Sequence, residues 1–194
     1  MISAAYKTEQ IEDIDGIGYE YEFMEPTEDR MLALMTELFE THWSQIVFGP
    51  CIQGAVFEVR VTAPAKKITV LDGYLTVDFG DWHFHLCIGE HRGTKSNPAP
   101  KALAQMRRVS KAVFFRSTSK TCGGGSWGFR MWNGADEQML SIFFPSPFLN
   151  ERFKLQKPDW TRLQLWNGMR KKYLPGAKEW SPELSEADIE APAH

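Results

Sequence analysis

The stretch KKITVLDGYLTVDFGDWHFHLCIG, residues 66–89, predicts a three-stranded antiparallel meander. Its Asp72-Gly73 pair is a strong signal for a two-residue hairpin turn, and Gly80-Asp81 is a second acceptable one. Both pairs tolerate the positive φ angles that tight hairpin turns require. We therefore expect strands over residues 66–71, 74–79 and 82–88.

The spacing of the two turns also predicts which residues pair across the strands. Val70 is expected opposite Leu75, and Val77 is expected between Ile68 and Phe84. All of these residues are apolar, so one face of the meander should cover a hydrophobic core. A shift of one residue would scatter the same side chains over both faces, which makes this register the consistent one.

The same register places an unusual set of side chains on the opposite face. The predicted pairs are Tyr74 with Cys87, Thr76 with His85, and Asp78 with His83. A solvated face of an antiparallel sheet is normally rich in Lys, Glu, Thr and Ser. Either this face is such a surface with an unusual composition, or it carries a binding site.

Two imidazoles on one strand face suggest a metal site. His83 and His85 are separated by one residue, so both project from the same face and could hold one ion. Asp78 could be a third ligand or could orient an imidazole. Two histidines and one carboxylate suit non-haem Fe(II) and related divalent ions, so we expect Fe, Zn or Mn.

The stretch from His83 to Glu90 reads H-x-H-x-x-x-x-E and resembles the metal-binding half of the first cupin motif. The resemblance implies a small β-barrel and metal-ligand roles for His83, His85 and Glu90. It also implies a further histidine from a second motif, and the sequence has none between His91 and His194.

Strand parity separates the two candidate acids. If the third strand continued straight, Glu90 would point away from the His83 face and His91 would share it, unless Gly89 hosts a bulge. Asp78 needs no such redirection. The candidates for further ligands or for groups that orient the ligands are Tyr74, Thr76, Cys87 and His91.

The remaining patterns predict an α+β fold. Residues 26–43 read as an amphipathic helix, a short basic helix is expected near Pro100, and residues 158–176 read as a last helix. Further strands are expected over residues 54–63, 111–118, 126–133 and 138–145. The expected fold is a largely antiparallel sheet of six to seven strands, with the meander 66–88 at its centre and two to three packed helices. The alternative is a cupin-like β-barrel with added helices.

Length and composition predict a globular protein with a single domain over residues 1–176 and an acidic, mobile tail over 177–194. The chain has 194 residues, is 43% hydrophobic and has only three scattered cysteines. No secretory leader or apolar span is visible, so we expect a cytoplasmic protein with no membrane partner.

The charges are segregated along the chain and indicate an anionic ligand. Residues 1–45 contain eleven acidic residues, whereas residues 91–135 contain Lys and Arg but no Asp or Glu. Either the charges of the two regions complement each other in the fold, or the basic region binds a small anionic ligand through Arg92, Arg116 or Arg130. Nucleic acid is not expected, because the net charge is −3 and no recognition motif is present.

Together these patterns predict a protein that binds a divalent metal or a metal cofactor through the His-x-His strand. If it is an enzyme, metal-dependent chemistry on a small anionic substrate is the natural class, with catalytic residues unknown. The alternatives are a non-catalytic protein that binds or delivers haem, another tetrapyrrole or a small ligand, and a protein-interaction module with no ligand.

Overall fold

A computed structural model describes residues 6–12, 17–52, 54–118 and 125–182 of the chain. Within these residues the strands are β1 (Thr8–Glu12), β2 (Gly18–Met24), β3 (Val47–Gly49), β4 (Cys51–Ile52), β5 (Ala55–Val56), β6 (Lys67–Leu71), β7 (Tyr74–Asp78), β8 (His83–Cys87), β9 (Gly93–Thr94), β10 (Asn97–Pro98), β11 (Val109–Ser117), β12 (Trp127–Asn133) and β13 (Gln138–Phe143). The helices are α1 (Glu28–Thr36), α2 (Lys101–Arg107) and α3 (Gln164–Tyr173).

The helix expected over residues 26–43 is present but changes its winding part of the way along. The Thr27 side chain caps α1 by accepting from the Arg30 backbone N–H. From Glu37–Thr41 the chain is a π-helix, followed by a 3-10 turn at Trp43–Gln45. At the other end of the chain, a 3-10 turn at Trp160–Leu163 leads into α3.

Four sheets are present in the described part of the chain. The largest is antiparallel with six strands in the order β1-β2-β11-β12-β13-β3, and β6-β7-β8 form a separate three-stranded sheet. The pairs β4-β5 and β9-β10 are short hairpins. The α+β class, with a large antiparallel sheet of six strands and three helices, is therefore confirmed. The position of the meander at the centre of that sheet is wrong, because β6, β7 and β8 pair only with one another.

The cupin-like barrel is wrong. The terminal strands of the six-stranded sheet, β1 and β3, each pair with only one neighbour, so the sheet stays open over the described residues. No described helix has the length and apolar character needed to cross a membrane.

The chain divides into two compact units, each built from separate stretches of sequence. Unit 1 comprises Met1–Met24, Val113–Phe129 and Phe143–His194, and unit 2 comprises Glu25–Ala112 and Arg130–Ile142. The single domain expected for residues 1–176 stays a prediction. The tail expected over 177–194 lies outside the described residues from 183 onward.

The core of unit 2 joins the helical segment to the apolar face of the meander. Leu75 and Val77 of β7 are fully buried. Five apolar residues of the helical segment are buried with them: Met31, Leu34 and Met35 of α1 and Leu38 and Phe39 of the π-helix. The Phe39 ring meets the Phe84 ring edge-on with centroids 5.3 Å apart. This packing holds one face of the meander inward, and the His83 face is consequently left outward.

The strand expected over residues 54–63 is wrong for most of its length. Pairing is limited to β5 and to one isolated bridge between Val59 and Phe48. The Phe57 backbone N–H donates to the Pro50 carbonyl, and Phe57 is 59% exposed. The alternating sequence lacks a partner of matching length, because β3 has only three residues.

Candidate functional site

The register of the meander is the one that the two turns predict. Asp78 pairs with His83, Thr76 with His85 and Tyr74 with Cys87. The first turn has φ angles of 49° at Asp72 and 77° at Gly73, the left-handed values of a type I′ hairpin. The strands are shorter than expected by a residue or less at each end.

His83 and His85 lie side by side on the exposed face of β8. Their ring centroids are 4.9 Å apart and the ring planes are inclined at 71°. His85 Nδ1 is 2.8 Å from the Thr76 hydroxyl on the neighbouring strand. When Nδ1–H donates to that hydroxyl, Nε2 of His85 is left as the nitrogen that can bind a metal.

Neither candidate acid completes a compact ligand set with these histidines. Asp78 Oδ1 accepts the Gly80 backbone N–H at 2.6 Å, and Glu90 Oε2 accepts from the Arg92 guanidinium at 2.8 Å. No three His, Cys, Asp or Glu side chains within residues 6–12, 17–52, 54–118 and 125–182 are grouped closely enough to hold one metal ion. Among the four expected metal ligands, all of which lie in the described part of the chain, only the rings of His83 and His85 are in contact with each other.

His91 belongs to a second polar cluster at the other end of the same hairpin. Its Nδ1 is 2.7 Å from Asp72 Oδ2, and its ring meets Tyr74 edge-on with centroids 5.3 Å apart. Asp72 also accepts the backbone N–H groups of Arg92 at 2.7 Å and Gly93 at 3.0 Å. The N–H of Arg92 is the main cause of the lowered pKa of Asp72, with Gly93 and His91 acting in the same direction against desolvation.

From the sequence we predict Asp72 only as a turn residue. Its hydrogen bond with His91 was not predicted. The predicted hairpin does contain a signal that His91 lies near Asp72. Because β8 runs back along β7, the residues after β8 must return to the turn that precedes β7. Ile88 and Gly89 do so, since both of their backbone N–H groups donate to the Gly73 carbonyl.

Cys87 is a buried thiol at the end of the same face. Only 2% of the residue is exposed, and Sγ lies 3.7 Å from the Gly89 carbonyl oxygen. Burial is the main cause that raises the pKa of this thiol above its ordinary value. A thiol held in its protonated form is a poor nucleophile and a poor metal ligand.

We expect Cys87 to resist alkylation in the folded protein near neutral pH, because few thiolates form there. Iodoacetamide labelling mapped by mass spectrometry should modify Cys51, which is half-buried, well before Cys87. The labelling rate of Cys87 should rise with pH beyond the range in which an ordinary thiol titrates. Equal rates at the two cysteines at neutral pH would contradict a raised pKa.

The three candidate arginines have separate partners. Arg92 binds Glu90 at the surface, Arg116 donates through two nitrogens to the Glu20 carboxylate at 3.1 Å, and Arg130 donates to the Ser141 hydroxyl at 2.9 Å. Arg130 is buried. Their roles in anion binding stay predictions.

A family model described as a family of unknown function (DUF7676) matches residues 8–175. The cupin resemblance of the His83 stretch gains no support from this match. No curated protein matches the sequence.

Proposed function

The chain belongs to the DUF7676 family of unknown function, and from its own residues we propose that unit 2 binds a divalent transition-metal ion through His83 and His85. The observation that carries the proposal is the pair of adjacent imidazoles on one exposed strand face. Imidazole nitrogen is a ligand that suits Zn, Cu, Fe and Ni, and a spacing of two residues on a strand presents two rings to one ion.

The Thr76 hydroxyl supports the proposal because it fixes one ring. Histidines that bind metals nearly always use their other ring nitrogen in a hydrogen bond that sets the tautomer and the orientation. The contact of His85 Nδ1 with Thr76 has this form. Asp78 is the nearest acid in the register, and we propose it as the third ligand when it releases the Gly80 N–H.

A site of two histidines and one carboxylate leaves coordination positions open. We propose that these positions take water or a small anionic ligand, whose charge the metal would neutralise. The chemistry that such an ion supplies is Lewis-acid activation of the bound group. Metal-dependent catalysis on a small anionic substrate is part of the same proposal.

Zinc titration of untagged protein by calorimetry tests the proposal. The wild type should bind one ion, and H83A or H85A should weaken binding by at least about tenfold, the scale on which even partners of the ligands act. T69A is the matched control. Thr69 lies on β6, is exposed on the face of the meander that carries His83 and His85, and supplies no imidazole. It should bind zinc as the wild type does.

Three results would contradict the proposal or redirect it. Wild-type affinity in both histidine variants would exclude this pair as the metal site. Unchanged affinity in D78N would remove Asp78 from the ligand set. A Soret band on haem titration that is lost in H83A or H85A would favour the tetrapyrrole alternative.

A further inference from the structure

Unit 1 contains a cluster of aromatic side chains that no part of the proposed metal site uses. Its members come from β12, the segment that follows β13, the 3-10 turn, α3 and the segment 177–182: Trp127, Phe148, Trp160, Trp166 and Trp180. Trp180 is central, since its ring centroid lies 5.9 Å from Trp127, 6.3 Å from Trp160 and 6.4 Å from Trp166.

Trp127 carries a buried donor that the cluster does not satisfy. The residue is 4% exposed, and its Nε1 has no hydrogen-bond partner in the part of the chain that the structure describes. A buried indole N–H normally finds an acceptor, so each exception calls for a physical explanation.

The rings around Trp127 supply no nitrogen or oxygen acceptor for that donor. Phe148 has no polar atom, and Trp160 and Trp180 have indole nitrogens that only donate. By contrast, the Nε1–H of Trp166 in the same cluster reaches the Gly128 carbonyl at 3.2 Å. The cluster therefore offers aromatic surface and one unused donor, a combination suited to an aromatic molecule that carries an acceptor.

Trp180 is held in the cluster by a short segment outside the helices and strands. Its backbone N–H and C=O both bond to the Asn167 side chain, at 2.9 and 2.8 Å, and Arg170 donates to the Lys178 carbonyl at 3.1 Å. Lys171 and Glu179 form an exposed ion pair. The segment is also held by the Ala177 backbone N–H, which donates to the Leu174 carbonyl at 3.0 Å. Trp180 itself is only half-buried.

The guanidinium of Arg116 lies 5.1 Å from the centroid of the Trp180 ring. A cation over an aromatic face is attracted to the electrons of the ring. Any aromatic ring in the same place would keep this contact, whereas an aliphatic group would lose it.

We propose that this cluster is a binding site for a planar aromatic molecule carrying a hydrogen-bond acceptor. The ligand takes the place of the Trp180 indole and accepts from Trp127 Nε1–H, and residues 177–182 detach from α3 as it binds. In the ligand-free protein Trp180 occupies the site and lowers the apparent affinity, because only the detached state can bind.

The fluorescent probe 1-anilinonaphthalene-8-sulfonate, which has aromatic rings and acceptor oxygens, tests the site by energy transfer from tryptophan. W180A should bind it at one saturable site at least about tenfold more tightly than the wild type, since the competing ring is gone. Adding W127F, which keeps a ring but removes the N–H, should weaken that binding about fivefold. W82A is the control, because Trp82 is 39% exposed in unit 2, and it should match the wild type.

Equal affinity in wild type and W180A would overturn the proposal, and so would an unchanged affinity when W127F is added. The second result would show that the bound probe does not accept a hydrogen bond from the Trp127 N–H. Amide hydrogen exchange on the wild-type protein tests displacement of the segment without relying on a variant that folds. Saturating probe should speed exchange of the Trp180 amide, and an unchanged rate would exclude displacement of the segment.

Discussion

Replacement of Arg170 by methionine should lower the free energy of unfolding by about 3–5 kcal/mol, the cost of leaving one partner of a buried ion pair alone. Arg170 is 3% exposed and Glu22 is 5% exposed. Two guanidinium nitrogens of Arg170 donate to the two oxygens of the Glu22 carboxylate, so the variant would leave that carboxylate buried without its counter-charge.

The surroundings of the pair make its loss hard to absorb. The guanidinium lies 4.3 Å from the centroid of the Trp166 ring and also donates to the Asn167 side chain at 3.1 Å. The Tyr6 hydroxyl donates to Glu22 at 3.1 Å. The pKa of Tyr6 is raised, first by burial and then by the Glu22 charge, so this hydroxyl remains a donor.

Urea denaturation followed by tryptophan fluorescence measures the effect. R152M is the matched control, since Arg152 is exposed in unit 1, and it should change stability by no more than about 0.5 kcal/mol. The double variant Glu22→Leu with Arg170→Met should recover part of the loss, because it removes the orphaned charge as well. If R170M unfolded at the urea concentration of R152M, the pair would contribute nothing.

The contrast between this pair and the meander shows what the sequence could predict. The register of residues 67–87 follows from local information, because turn geometry and a period of two fix every cross-strand pair. Glu22 and Arg170 are 148 residues apart, and no local pattern relates them. A charged residue on an otherwise apolar helix face or strand face gives only a hint of such a partner.

The structure departs from the expected elements at two places, for different reasons. The helix after Thr27 was predicted from a period of 3.6 residues, but this period does not reveal where the winding loosens into the π-helix 37–41. In residues 54–63 the alternation was real, but the sequence could not show that β3 offers only three residues to pair with. Strand formation depends on a partner as well as on a pattern.

At the candidate site, the sequence predicts the cross-strand pairs but not the hydrogen bonds of the side chains. The pairing of His85 with Thr76 follows directly from the register, and the structure adds the hydrogen bond. The bond of Asp78 to Gly80 and that of Glu90 to Arg92 depend on rotamers, which the register does not specify. Trp180 fell within a segment whose acidic, Pro-containing composition predicts a tail.

Replacement of Phe39 by alanine should also cost about 3–5 kcal/mol, the range for deleting a large aromatic side chain from a core. Phe39 is fully buried in the π-helix, and its ring centroid lies 4.8 Å from that of Phe48 and 5.3 Å from that of Phe84. Both contacts would be lost at once, because alanine reaches neither ring and the residues around it can collapse only in part.

This variant would also connect the core to the proposed metal site. Phe84 lies between His83 and His85 in β8, so its packing against Phe39 holds the strand from which both imidazoles project. Urea denaturation should show the loss of stability in F39A, and F57A, which removes a 59% exposed ring from the same unit, should stay within about 0.5 kcal/mol of the wild type. Zinc affinity should fall in F39A under conditions where most of the protein is folded, because the two rings would no longer be held in one geometry. Wild-type stability in F39A would mean that the aromatic cluster around Phe39 does not support the meander.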